Sequence, residues 1–150
     1  MIFFLMGEIN LRCRSVFSIV YLLDTNICIY IINKRPQKII EKISLHEPAE
    51  IKISAVSIAE MEYGAAKSAY PEKNRNALRD FLTSFEIIPF DLKDAEIYGI
   101  ILAELERNGE VIGPYDMQLA SQALSRDYIF VTNNVQEFQR IRKLKLENWV

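Results

Sequence analysis

At 150 residues, half of them apolar, the chain has the length of one compact domain with a sizeable core, which excludes two ordinary domains. Its formal net charge of −2 excludes a general attraction to nucleic acid, so a polyanionic partner would have to meet local clusters of Lys and Arg. The two Cys form no CxxC pair, no apolar run reaches the roughly 18–20 residues of a membrane span, and the start lacks a small-residue cleavage site, so we expect a cytoplasmic protein with no membrane contact.

The first half of the chain reads as strand and helix in alternation. Residues 1–17 are predicted to be an N-terminal extension, and residues 18–150 one α/β domain. The run SIVYLL at 18–23 is typical of a strand buried on both faces, and Asp24 or Thr25 can cap the helix predicted over 26–33. A second strand, IKIS, is predicted at 51–54, with Ser54 or Ser57 capping a helix that continues to residue 70.

The second half continues the alternation. Pro71 begins a predicted helix over 71–85, a strand follows at 86–90, and Asp91 and Gly109 bound a long helix. Pro114 begins the next helix, and a strand at 128–132, a short helix at 133–141 and an edge strand at 144–149 complete the chain. This order predicts an α/β fold with a mainly parallel central sheet of four or five strands, covered by helices on both faces.

Polar residues follow the predicted strands at their carboxyl ends. Asp24 follows the first strand, Glu60 lies early in the helix after IKIS, Asp116 is in the first turn after Gly-Pro, and Asn133 and Asn134 follow the fourth strand. In parallel sheets the functional crevice lies beyond these strand ends, so we expect the side chains to converge there.

Each of these residues also has an ordinary structural explanation. Asp24 can be only a helix cap, Glu60 a solvated helical residue, and Asp116 a complement to a helix dipole. Asn133 and Asn134 can be turn residues. The functional hypothesis therefore depends on their joint placement.

Clustered carboxylates repel one another unless a cation lies among them, and oxygen ligands suit Mg²⁺, for which Mn²⁺ can substitute. Such an ion would be held by Asp24, Asp116 and Glu60, with some carboxylates acting through water. It would polarise a phosphodiester oxygen and lower the pKa of an attacking water. Thr25 and Asn26 are predicted to orient Asp24 or to contact phosphate at the helix N-terminus.

Four stretches of the chain, together covering residue 20 to the C-terminus, match a known family in motif, order and spacing. They are YLLDTNICIYIINKRP, ISAVSIAEMEYGAAKS, FEIIPFDLKDAEIYGIILAELERNGEVIGPYDMQLASQAL and VTNNVQEFQRIRKLKLENW. The chain resembles the PIN-domain ribonucleases, and specifically the VapC toxins of bacterial type II toxin–antitoxin pairs.

The resemblance implies a PIN-like α/β/α sandwich over 18–150 and a Mg²⁺-dependent or Mn²⁺-dependent endoribonuclease acting on structured RNA, often tRNA. It assigns the catalytic acids to Asp24, Glu60 (rather than Glu62) and Asp116. It also implies a homodimer and a VapB-type antitoxin whose C-terminal segment covers the acidic pocket. Residues 1–17 would then be either an added segment or sequence upstream of the true translation start.

The fourth acidic position departs from the family pattern. Where many PIN domains carry a further Asp, this chain has Asn133 and Asn134. Asn134 fits the spacing of the fourth catalytic position, Asn133 is assigned to substrate binding, and Glu137, one turn on, can supply the missing carboxylate. A site with three carboxylates and one ion is the resulting expectation.

Two other functions compete with the nuclease. A phosphoacceptor domain would need a second acid beside Asp24 and a Lys directly after a later strand, and neither is present. A non-catalytic PIN module that only binds RNA or protein would have lost an acid, and only the fourth position is compromised.

Tyr63 and Tyr115 are expected to pack, although Tyr115 can also stack on a base. The basic C-terminal stretch is either a solvated face or a contact for an RNA backbone, and comprises Arg140, Arg142, Lys143 and Lys145.

Overall fold

The central sheet has five strands, all parallel. The computed structural model describes residues 18–150, so the predicted extension at 1–17 lies outside it and its boundary stays a prediction. The strands lie in the order β3-β2-β1-β4-β5. Their bounds are β1 Tyr21–Leu23, β2 Ile51–Ser54, β3 Glu86–Ile88, β4 Ile129–Val131 and β5 Lys145–Glu147. The predicted α/β fold with a parallel sheet is therefore confirmed.

Seven helices cover the described residues of this sheet. Their bounds are α1 Thr25–Ile32, α2 Gln37–Ser44, α3 Ala55–Ala66, α4 Pro71–Leu82, α5 Leu92–Asn108, α6 Pro114–Ser125 and α7 Val135–Phe138. Leu22 and Phe130 face a core formed with α5, α6 and α7, whereas Leu23 and Val131 face a core formed with α1, α2 and α4. Successive residues of a strand point to opposite faces of the sheet, so each central strand contributes side chains to both cores.

Helix starts follow from the capping residues. The side chain of Asp24 accepts from the backbone N–H of Thr25 at the start of α1, and Ser54, rather than Ser57, caps α3. Asp91 begins α5 with a capping box, and Gly109 ends it in the left-handed conformation at φ 67°. The caps therefore place the polar residues at the carboxyl edge of the sheet.

Several elements are shorter than their sequence patterns predict. The strand predicted at 86–90 ends at Ile88, because Pro89 cannot donate to the sheet. The helix predicted over 133–141 is a single turn, Val135–Phe138, and the helix predicted over 71–85 ends at Leu82. The chain turns back toward β5 through Lys143, which has a positive φ of 66°.

The apolar residues of the central strands are buried in the protein's own core. Cys28, on α1, is a buried free thiol, and Cys13 lies outside the described residues. Over residues 18–150, no helix combines the length and the apolar character needed to cross a membrane.

Candidate active site

The carboxyl ends of the three central strands lie level with one another. Leu23, at the end of β1, is in register with Ile53 of β2 and Val131 of β4. The residues that follow these strands therefore leave the sheet at the same edge, where crevices in parallel α/β folds form.

Asp24 is held rigidly at this edge. Its backbone N–H donates to the carbonyl of Val131 at 2.9 Å, and the residue is only 4% exposed. One carboxylate oxygen accepts from the Thr25 N–H at 2.7 Å, and the other accepts from the Thr132 hydroxyl at 2.8 Å. Burial raises the pKa of Asp24, the negative charges of Glu60 and Glu137 raise it further, and the two hydrogen bonds oppose that rise.

Glu60 is positioned from α1 as well as from its own helix, α3. The Thr25 hydroxyl oxygen lies 2.8 Å from Glu60 Oε1 and 2.9 Å from the hydroxyl oxygen of buried Ser57. An ionised carboxylate only accepts, so Thr25 donates to Glu60, and Ser57 must then donate to Thr25. This directed pair of hydrogen bonds fixes the Glu60 carboxylate relative to Asp24.

Asp116 enters the pocket from the first turn of α6. Gly113 precedes this helix and Pro114 begins it, with the proline ring preset for the first helical position. Burial raises the pKa of Asp116 to about 6, with further contributions from the charges of Asp24, Glu137 and Glu60. Hydrogen bonds through Thr25 and Thr132 link Asp24 to Glu60 and, by way of Asn134, to Glu137, and the charges of these acids act on Asp116, so the four acids share one site.

Glu137 supplies the carboxylate at the fourth position. Its charge acts on both Asp24 and Asp116, whereas the side-chain amide of Asn134 donates to the Glu137 carboxylate. The backbone N–H of Asn134 donates to the Thr132 hydroxyl oxygen at 3.0 Å. Asn134 therefore orients Glu137 and links it to Asp24 through Thr132. The sequence had offered Asn134 and Glu137 as alternatives for the fourth position, and the structure places both side chains in contact.

The chemistry of this set of donors fits a hard divalent cation bound partly through water. Its members are carboxylates, and the charges of Glu60 and Glu137 help to raise the pKa of Asp24 and of Asp116, which a cation would relieve. Within residues 18–150, however, no group of three or more His, Cys, Asp or Glu side chains is arranged to hold a metal ion. A Mg²⁺ ion held directly by one or two carboxylates, with the others binding its waters, is the arrangement that these residues fit.

The residues predicted to contact substrate differ in their exposure to solvent. Thr25 is buried, its backbone N–H donates to Asp24 and its hydroxyl donates to Glu60, whereas its predicted contact with phosphate stays a prediction. Asn26 is exposed at the start of α1, and exposed Asn133 donates from its amide to the Tyr30 hydroxyl at 3.3 Å. Thr132 and Ser57 were missed as site residues, although a polar residue ending an apolar strand, as in YIFVT, was an available signal.

Two tyrosines that were expected to pack, Tyr63 and Tyr115, are instead exposed beside Glu60, and we call this exposed pair the rim. Tyr63 is 66% exposed and Tyr115 is 55% exposed. Together with Ala59 and Glu60 they line a cavity of about 340 Å³. A larger cavity of about 510 Å³ lies between α1, α3 and α4, and its lining includes Glu60, Ile29, Ile32, Met61 and Leu78. Glu60 therefore belongs to the walls of two separate openings.

Known proteins are similar in sequence to this chain along most of its length. The model of the PIN domain family matches residues 21–144. Ribonuclease VapC2 of Haemophilus influenzae is 42% identical over 130 residues, which are 87% of this chain and 98% of that protein. The tRNA(fMet)-specific endonuclease VapC of Shigella flexneri is 40% identical over 129 residues, which are 86% of this chain and 97% of that protein.

Solved structures share the fold. The VapBC2 complex of Rickettsia felis, bound to a DNA fragment from its promoter, matches with a TM-score of 0.83 and 42% identity over 88% of this chain and all of the matched chain. The DNA-bound VapBC complex of Salmonella typhimurium matches with a TM-score of 0.84 and 38% identity over 89% of this chain and all of the matched chain. The chain therefore belongs to the PIN domain family and, within it, to the VapC ribonucleases.

Proposed function

We propose that the protein is a metal-dependent endoribonuclease, the toxin of a type II toxin–antitoxin pair, which cleaves structured RNA in the cytoplasm. The observation that carries this proposal is the convergence of Asp24, Glu60, Asp116 and Glu137, whose charges raise the pKa of Asp24 and Asp116. The substrate class we favour is tRNA, because a relative at 40% identity is a tRNA(fMet)-specific endonuclease.

Asp24 and Asp116 are the residues that would hold Mg²⁺ or Mn²⁺, with Glu60 and Glu137 holding its waters. When bound, the ion supplies Lewis-acid polarisation of the phosphodiester and lowers the pKa of water. The chain's own hydroxyl groups keep the acids ready: Thr132 donates to Asp24 and Thr25 donates to Glu60. The hydrogen bond from Thr132 lowers the pKa of Asp24 against the effect of burial, which favours the ionised form that binds a cation.

The exposed amides complete the proposed site. Asn26 at the first turn of α1 and Asn133 at the end of β4 border the acids and can donate to phosphate oxygens. The free N–H groups of the α1 N-terminus add a favourable field for an anion, which offsets part of the repulsion between RNA and the acids. We assign both asparagines to RNA positioning.

We further propose a VapB-type antitoxin as partner. The structural neighbours in Rickettsia felis and Salmonella typhimurium are VapBC complexes. The cavity between α1, α3 and α4 has a largely apolar lining that includes Glu60, so an antitoxin segment lying in it would reach that acid. A homodimer is the assembly we propose, formed through the exposed tyrosines at the rim.

Mapping of new RNA ends tests the proposal. Purified protein free of antitoxin is incubated with total cellular RNA and Mg²⁺ or Mn²⁺, beside Asp116→Asn and a chelator control. We expect discrete new ends that disappear in both controls, because each control removes the cation or its ligand. If folded protein yields no ends with either metal, the chain is a non-catalytic module that binds RNA or protein.

A further inference from the structure

A second surface of the molecule combines positive charge with an apolar floor. A groove of about 400 Å³ lies between α5 and the turn that follows α7, and we call it the basic groove. Its rim carries Arg140, Arg142 and Lys143, and its lining includes Ile97, Ile100 and Glu104. Three cations within four residues of sequence therefore converge on one depression.

These cations make only weak interactions within the protein. The Arg142 side chain is 84% exposed, and its distance from the Glu104 carboxylate is long, at 3.9 Å. Exposed Arg140 reaches the Val111 carbonyl at 3.5 Å, and Lys143 makes no ion pair with any residue of the described chain. By contrast, Arg126 lies 2.8 Å from the fully buried Asp94. The groove's charges thus remain available to a ligand.

One end of the basic groove adjoins the acidic pocket. The backbone N–H of Arg140 donates to the carbonyl of Glu137 at 3.3 Å, so the backbone that carries this cation lies one turn from an acid of the pocket. The Arg140 guanidinium also bonds to Val111, five residues before Asp116. A polymer whose backbone reaches the acids therefore needs only a short path to reach Arg140.

Electrostatics makes such a cationic surface necessary for a polyanionic substrate. The chain carries a net charge of −2, and its acids repel phosphate. We propose that the basic groove binds the backbone phosphates of the RNA substrate beside the scissile bond, a proposal that rests on the proposed ribonuclease function. Backbone contacts of this kind fix the register of a nucleic acid and carry little sequence information.

The test measures RNA binding separately from cleavage. The full chain carrying Asp116→Asn binds labelled, unfractionated tRNA without Mg²⁺, over salt concentrations from 50 to 200 mM. Into it we introduce Arg140→Gln, Arg142→Gln and Lys143→Gln together. The matched control is Arg35→Gln, Arg79→Gln and Lys34→Gln, which removes the same charges from exposed positions in and beside the α1, α2 and α4 layer. Lys34, like Lys143, has a positive φ.

We expect the groove variant to bind RNA about 10-fold to 100-fold more weakly at low salt, with the slope of log K against log salt reduced by about one for each phosphate that is no longer neutralised. The control should retain the parent slope. Equal affinity of parent and groove variant overturns the proposal. So does RNA binding that survives while binding of a Glu-rich amphipathic peptide disappears, which would assign the groove to an acidic protein.

Failure of the two proposals can be distinguished. If parent protein with an intact Asp116 cleaves no RNA, yet the groove variant alone loses affinity, the groove binds RNA phosphates but there is no scissile bond beside it, and the ribonuclease proposal falls. If the parent cleaves and the groove variant binds RNA normally, only the groove assignment falls.

Discussion

The raised pKa of Asp116, about 6, makes this one residue a cost to the metal-free fold at neutral pH. Because the folded pKa lies above the unfolded value near 3.8, the folded state holds a proton that the unfolded state releases, and stability falls as pH rises from about 4 through about 6. Asp116→Asn removes that charge. In chelator at pH 8 we expect the variant to be more stable by about 1 kcal/mol, after allowing for solvent screening, or about 2–4 °C in Tm.

Thermal unfolding across pH measures this effect. Parent and Asp116→Asn should converge near pH 4, where both side chains are neutral, and Mg²⁺ should raise the Tm of the parent at pH 8 but hardly that of the variant. Asp80→Asn, at an exposed aspartate of α4, is the matched control and should follow the parent. A variant less stable than the parent at pH 8 would contradict this account of the pocket.

Thr132 offers a second prediction for a single residue. Its buried hydroxyl donates to Asp24 and accepts from the Asn134 N–H, so Thr132→Val leaves both groups without that partner at nearly constant volume. We expect a loss of about 1–3 kcal/mol in the free energy of unfolding, measured in urea, together with reduced RNA cleavage. Thr132→Ser keeps the hydroxyl and should restore most of both. A valine variant as stable as the serine variant would show that the hydrogen bonds contribute little.

The sequence alone predicted where the acids of the pocket lie, and the hydrogen bonds of the structure show how they are oriented. Asp24 and Asp116 stand where strand and helix patterns change, so their positions follow from chain order. The sequence also offered Glu137 as the fourth carboxylate, but it did not predict the hydrogen bond from Thr25 to Glu60, because that bond joins two different elements, α1 and α3. Such interactions depend on how helices pack, which local patterns do not specify.

At the scale of elements, α6 must hold Asp116 in register with the strand ends. It is tied to α5 at its far end, where Arg126 donates to the fully buried carboxylate of Asp94 at 2.8 Å. Arg126→Met leaves that carboxylate buried without its cation and should cost about 3 kcal/mol. Urea unfolding measures the loss. Arg79→Met, at an exposed arginine of α4, serves as control, and equal losses in the two variants would mean that the buried pair does not stabilise the fold.

Element types were easier to predict than element ends. Continuous apolar runs and capping residues indicated β1, α5 and α6, and all three are present, although β1 covers only Tyr21–Leu23 of the strand predicted over 18–23. The strand predicted at 86–90 ends early, and the final helix is one turn long. The strand stops because Pro89 has no N–H to donate, and the carbonyl of Pro89 accepts from Gln122 and Arg126 of the α6 region rather than from a neighbouring strand.

For the whole molecule, the exposed aromatic rim beside the pocket argues for assembly. Tyr63 and Tyr115 border a cavity that includes Glu60, and Val111 is exposed as well. Aromatic side chains are enriched in protein interfaces, and a charge buried there without a partner is costly. A homodimer through this rim would bring the openings of two acidic pockets side by side, so that one RNA could be held between protomers.

Light scattering and sedimentation test this assembly. We expect the parent to have twice the 17.4 kDa mass of one chain, and Tyr63→Glu to weaken the dimer by about 30-fold or more, because burying the new charge costs at least about 2 kcal/mol. Tyr70→Glu is the matched control, since Tyr70 is 69% exposed and precedes α4, away from the rim. If Tyr63→Glu stays dimeric while folded, the protomers associate through another surface, and each acidic pocket must act on RNA without a neighbouring pocket at this rim.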